Sequence, residues 1–239
     1  MKESPVKEWS KLNARIVKGK LKWDDIKDKL LEIISAMDNL WENGKIPEGE
    51  YRQKGNHFKD TVIALVKAQC GINVTGKKVK GRTDKHAVDL CYFKGKSNGG
   101  VLIIAGEAKM LGSPKHLMDR RTYPERTITI DIDKRSKEVK YTPIDLKRLN
   151  DPEVVTGWKK WIDETKPKFF SAWMMRFASK NHLGNVISKL EGISEYNNGV
   201  GIAIYKDQDR RYAWVDIKSS KLLTLGDLVD QICAAMRGK

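Results

Sequence analysis

Three ionisable residues, Asp89, Glu107 and Lys109, lie on or just beyond two apolar runs, Ala87 to Phe93 and Val101 to Ala105. The segment between the runs is rich in Lys, Ser, Asn and Gly, too polar and too flexible to extend either strand, which predicts a β-hairpin. With the turn centred near Asn98, antiparallel pairing sets Asp89 opposite Glu107, because both stand equally far from the centre. Directly opposed residues have Cβ atoms about 4.5 to 5.5 Å apart. Alternation along the strand puts Glu107 and Lys109 on one face and turns Ala108 away. Two carboxylates this close repel unless a cation or a shared proton intervenes. Hard oxygen donors suit magnesium, which takes one or two carboxylates and keeps water and phosphate as its other ligands. Lys109 beside such an ion reaches a water or a phosphate oxygen, and the set suits metal-assisted phosphodiester hydrolysis. The plainer alternative is an exposed Glu–Lys pair on an edge strand, with Asp89 a polar strand position. Asp84, in GRTDKHAVDL, is the first acid if the register differs.

Asp89 followed by Glu107-Ala108-Lys109 at the end of the next strand resembles the PD-(D/E)XK signature of restriction endonucleases and related DNA-cleaving enzymes; Val88 stands where the signature has Pro. The resemblance implies a magnesium-dependent endonuclease, most simply a type II restriction enzyme cutting double-stranded DNA to 5′-phosphate and 3′-hydroxyl ends. Asp89 and Glu107 would hold Mg²⁺ with the Ala108 carbonyl as a further ligand, and Lys109 would orient or deprotonate the attacking water. Cutting both strands at a symmetric site needs two such centres, hence a homodimer. The family also contains repair nucleases and junction resolvases. It implies an α/β fold as well: a central mixed β-sheet flanked by helices, with a helix ahead of the catalytic hairpin that often carries another acid. Glu48, Glu50 and Asp60 are the candidates here, although Lys59 occupies the usual acidic position.

The elements that would position these residues follow from periodicity. Residues 1–22 predict a loose arm or a short helix. Ile26, Leu30, Ile33, Ile34, Met37, Leu40 and Trp41 recur at helical spacing. A second helix is expected from Pro47 to Gln69, with Gly71 as its stop, and a first strand from Ile72 to Lys80. Beyond the hairpin, a basic loop carries Lys115, His116, Arg120, Arg121 and Arg126, which suit phosphates and base edges. Thr127 to Asp133 and Glu138 to Thr142 read as paired strands. Pro143 to Leu149, Pro152 to Thr165, KFFSAWMMRFASK after Pro167, and Asn181 to Tyr196 read as helices. A second hairpin, Gly199 to Tyr205 with Arg211 to Ile217, precedes a closing helix capped by Thr224 and Asp227. One domain, 1–239, accommodates this as an N-terminal helical region (1–50), a helix with catalytic strands (51–109), a basic loop and helical insertion (110–180) and a C-terminal part (181–239).

The 239 residues carry 46 Lys and Arg against 31 Asp and Glu, a formal charge of +15. That bias argues for a polyanionic partner, nucleic acid first, and leaves a non-catalytic basic DNA-binding protein as the competing class. Three widely separated cysteines argue against a zinc ribbon or disulfide framework, so Cys91 and Cys233 read as small buried hydrophobes in a reducing cytoplasm. No apolar run approaches a membrane span and the N-terminus lacks the apolar core of a signal peptide. The four histidines, His57, His86, His116 and His182, show no ligand spacing, so zinc is not indicated.

Overall fold

Helices open the chain because their apolar residues recur every three or four positions. In the computed structural model, which describes residues 3–81, 83–95, 101–118, 121–123, 128–147, 167–177, 183–208 and 211–237, these are α1 (Pro5–Gly19), α2 (Trp23–Glu42), α3 (Glu48–Arg52) and α4 (Lys54–Cys70). The helix expected over Pro47 to Gln69 is divided at Gln53, and Gly71 ends it in the left-handed region at φ 69°. Of the two expectations for the N-terminal stretch, the helix is the one that forms. Helix α1 is 15 residues long and buries Trp9, Leu12 and Ile16, an apolar stripe that the surrounding lysines hide in the composition. The Trp9 indole donates to Thr61 Oγ1 at 2.9 Å and fastens α1 to α4.

The strands are β1 (Thr75–Lys80), β2 (Lys85–Lys94), β3 (Val101–Leu111), β4 (His116–Met118), β5 (Arg121–Tyr123), β6 (Lys168–Phe177), β7 (Gly199–Gln208), β8 (Arg211–Trp214) and β9 (Leu223–Thr224). Strands β4 and β5 pair only with each other, and the rest form one mixed sheet in the order β1-β2-β3-β6-β7-β8 with β9 beside β7. The first three make an antiparallel meander, while β6 is parallel to both β3 and β7. Helices α5 (Ile128–Lys147), α6 (Leu183–Glu191) and α7 (Leu225–Arg237) complete the described elements. On one face Ile104, Ala108, Phe170, Ala172 and Met174 pack with α1, α2, α4 and α7. On the other, Leu111, Trp173, Met175 and Ile202 pack with α5 and α6, and Val88, Cys91 and Phe169 pack with Leu146 of α5. The class is α/β, a mixed sheet flanked by helices.

The basic loop expected beyond the hairpin contains the paired strands β4 and β5, and two further elements exchange helix and strand relative to their sequence pattern. The paired strands expected over Thr127 to Thr142 are the body of α5, in which Ile128, Ile132, Ser136, Val139, Thr142 and Leu146 are buried. Those positions step by three and four, a helix face that the β-branched run TITI obscures. The helix expected after Pro167 is instead β6, nine of whose ten residues are buried without alternation. A strand covered on both faces has no period to read and resembles a buried helix in one dimension. The expected helical insertion over 110–180 thus supplies a central strand, while Pro152 to Thr165 lies outside the described residues. Closer to expectation, Asp227 N donates to Thr224 Oγ1 at 3.1 Å and caps α7.

Cys70 and Cys233 form a disulfide between α4 and α7, with Cα atoms 5.4 Å apart. The sequence spacing hid this pair, since 163 residues separate the partners; Cys91 is a buried free thiol as expected. A buried ionic group crosses the same helical layer. Asp38 accepts from Tyr51 Oη and Lys54 Nζ, each at 2.7 Å, and from Tyr212 Oη at 2.8 Å, joining α2, α3, α4 and β8. Burial pulls the Lys54 ammonium below the ordinary lysine range, with Asp38 opposing it. Among the described residues no helix is long and apolar enough to cross a membrane.

Candidate active site

The β2–β3 ladder shifts register by one residue between Tyr92 and Phe93, and beyond that shift its pairs are those of a turn centred at Asn98. Cys91 pairs with Ala105 and Leu90 with Gly106, so the next step of the same register sets Asp89 against Glu107; the turn itself, 96–100, lies outside the described residues. The ladder ends there for a visible reason. The next donor, Ala108 N–H, goes to Asp89 Oδ2 at 3.0 Å instead of to a backbone carbonyl.

A bulge aims Asp89. Strand β1 pairs Thr75 with Cys91 and Lys77 with Val88, so two residues of β2, Asp89 and Leu90, oppose Gly76 alone. Val88 is buried against the α5 side of the sheet, and strict alternation from it would send Asp89 to the opposite face. The extra residue restores Asp89 to the side that bears Glu107, the way bulges re-aim side chains beside functional sites. Nothing in the one-dimensional pattern marks it.

Glu107 and Lys109 share a face. Lys109 Nζ stands 2.7 Å from Glu107 Oε2, while Ala108 between them is buried in the opposite core. Glu107 is only 8% exposed. Burial pushes its carboxyl up to about 7, with Lys109 pulling down and the nearby Asp89 carboxylate pushing further up. In an extended strand a residue's N–H and C=O point to the same neighbour, so the Ala108 carbonyl is turned toward β2 together with its N–H. The parallel register sets Ser171 beside Glu107 and Trp173 beside Lys109. The sequence pattern had read that stretch as helix and brought neither residue here.

The other candidates are distributed elsewhere. Asp84 lies in the β1–β2 turn, where its Oδ1 accepts from Lys85 N at 2.7 Å. His86, on β2, meets Asp145 of α5 at 2.7 Å instead of facing solvent. Glu48 pairs with Arg52 on the surface of α3. Asp60 is exposed on α4, in the layer across the sheet from Glu107. Among the described residues no group of three or more His, Cys, Asp or Glu is placed to hold a metal ion. Lys115 is exposed. His116 and Arg121 lie on the backbone of the β4–β5 hairpin, and Arg120 and Arg126 are outside the described residues.

The donor set can be tested against magnesium. Two carboxylates and a backbone carbonyl are hard oxygen donors, and two acids suffice for an ion that keeps most of its waters. Among the described residues no group of His and Cys of the size that zinc sites use stands with them. No protein-family model, curated protein or solved structure matches this chain.

Proposed function

We propose that the protein is a magnesium-dependent deoxyribonuclease, most simply a type II restriction endonuclease acting as a homodimer on double-stranded DNA. The observation that carries this reading is the meeting of Asp89, Glu107 and Lys109 at the open end of one β-ladder, where a bulge is spent on aiming Asp89. Helix α4 ahead of the hairpin, the mixed sheet flanked by helices and the charge of +15 support it. Asp89 and Glu107 would hold the ion, with the Ala108 carbonyl as a third protein oxygen. A bound magnesium supplies polarisation of the scissile phosphate and a water of lowered pKa. Lys109 orients that water or takes its proton, and its charge offsets the negative charge that builds on phosphorus. Glu107 is largely withdrawn from bulk water, which strengthens its interactions with a bound cation.

Plasmid cleavage tests this. Supercoiled DNA should be nicked or linearised with Mg²⁺ and left intact with EDTA. Asp89→Ala and Lys109→Ala should each lower the rate by roughly 10²–10⁴-fold while gel-shift binding persists. Cleavage undiminished in both variants would remove the site assignment. One observation favours the non-catalytic alternative: Glu107 is nearly sealed and already paired with Lys109. DNA binding with no hydrolysis under any divalent ion would select it. Cleavage of branched but not linear duplexes would select a repair nuclease or junction resolvase.

A further inference from the structure

We infer that Ser171 is a positioning residue that holds the Glu107 carboxylate in the orientation that receives the metal ion. The inference rests on the nuclease reading and adds to it a residue from outside the signature. Strands β3 and β6 run parallel with Glu107 in register with Ser171, and registered neighbours in a sheet point to the same face about 4.8 Å apart. The cores agree with that geometry. Leu111 and its partner Met175 share one cluster, whereas Ala108 and its partner Ala172 share the opposite one. Ser171 therefore stands on the Glu107 side, 0% exposed, and its Oγ has no hydrogen-bond partner.

A sealed hydroxyl without a partner is rare because its lost hydration is not replaced. Alanine would fill the same place at no such cost. The nearest charged acceptor by register is Glu107, which is bonded to Lys109 through Oε2 and also meets the Asp89 side chain; a carboxylate offers about four lone-pair sites, which leaves room for a further donor. A hydroxyl turns freely about its bond to suit an acceptor, and the bond assigned here runs from Ser171 Oγ–H to the Glu107 carboxylate beside it in register. That bond would fix the plane of the carboxylate and direct its free lone pairs toward Asp89. Trp173 Nε1 is a second buried donor without a partner, but its indole lies in the apolar cluster with Leu111 and Met175, so Ser171 is the group assigned to Glu107.

The test is Mn²⁺ binding by calorimetry on the full chain, with thermal unfolding of the metal-free protein alongside. Loss of a hydrogen-bond partner to a metal-binding side chain costs roughly tenfold or more in metal affinity. Ser171→Ala should therefore weaken Mn²⁺ by about that factor and raise the Mg²⁺ concentration for half-maximal cleavage in proportion. Its metal-free melting temperature should stay level or rise. Ser171→Cys, which keeps the volume and loses the strong donor, should weaken Mn²⁺ likewise and serves if the alanine variant does not fold. Ser171→Thr should bind as the parent does. Parental Mn²⁺ affinity in the alanine or cysteine variant overturns the role of Ser171 and leaves the nuclease reading standing. A parent protein that binds no Mn²⁺ and cuts no DNA overturns the nuclease reading, and this inference with it.

Discussion

Glu107 stands between two neighbours of opposite effect, Lys109 favouring the charged carboxylate and Asp89 the protonated form. Its folded value of about 7 lies above the ordinary 4.5 because burial outweighs the attraction of Lys109. The folded protein thus keeps a proton that the unfolded chain loses between those two values, and the stability contributed by this group falls as pH rises through that window. Glu107→Gln removes the fall. In denaturant melts of the metal-free protein from pH 4 to 8, the variant should give the flatter profile and gain on the parent as pH rises, by up to about 3 kcal/mol between pH 4 and 8. A variant profile as steep as the parental one would assign the slope to another group. At this scale the sequence was informative about Asp89, Glu107 and Lys109, because distance from a turn sets the pairing to within the one-residue shift between Tyr92 and Phe93, which no pattern in the sequence marks. It was silent about Ser171, whose neighbourhood depends on a strand pairing across an intervening helix.

Among the elements, α5 and the β1–β2 turn are locked by one side chain. The Asp145 carboxylate accepts from Thr83 N at 3.0 Å, Thr83 Oγ1 at 2.8 Å, Asp84 N at 3.3 Å and His86 Nε2 at 2.7 Å. A Cβ at Gly81 would collide with it, which accounts for glycine there. Burial alone would raise the Asp145 carboxyl, but the hydrogen bonds from His86, Thr83 and the turn backbone outweigh it and hold the group below its ordinary range. That stability is present above the unfolded value of about 3.9 and is lost as pH falls through the folded one. Asp145→Asn should cost about 2–3 kcal/mol at neutral pH and flatten the acid limb of the stability profile below about pH 4. An acid limb as steep as the parent's would place the titration elsewhere. Elements whose burial is one-sided, α2 and α7, were legible from their periods, and the β2–β3 hairpin from the polar, Gly-rich segment between its two apolar runs. Strand β6, buried on both faces, and α5, rich in β-branched residues, were not, because in each the local signal that separates helix from strand is cancelled by its surroundings.

Across the whole molecule, the disulfide is the long-range constraint that no local pattern announces. Joining residues 163 apart restricts the unfolded chain far more than the folded one, and bridges of this kind contribute about 2–5 kcal/mol. Guanidinium unfolding with and without dithiothreitol should show the reduced protein, or the Cys70→Ser and Cys233→Ser double variant, unfolding at lower denaturant by that amount. Coincident curves would mean that the two thiols are not bonded in the sample. All the described strands, from Thr75 to Thr224, fall between the two cysteines. The bond therefore turns the sheet-bearing stretch into a covalent ring, with α1, α2, α3 and the body of α4 as a tail outside it. A protease that cuts once anywhere in the ring linearises it without releasing a fragment, and the two pieces part company only after a reductant opens the clasp.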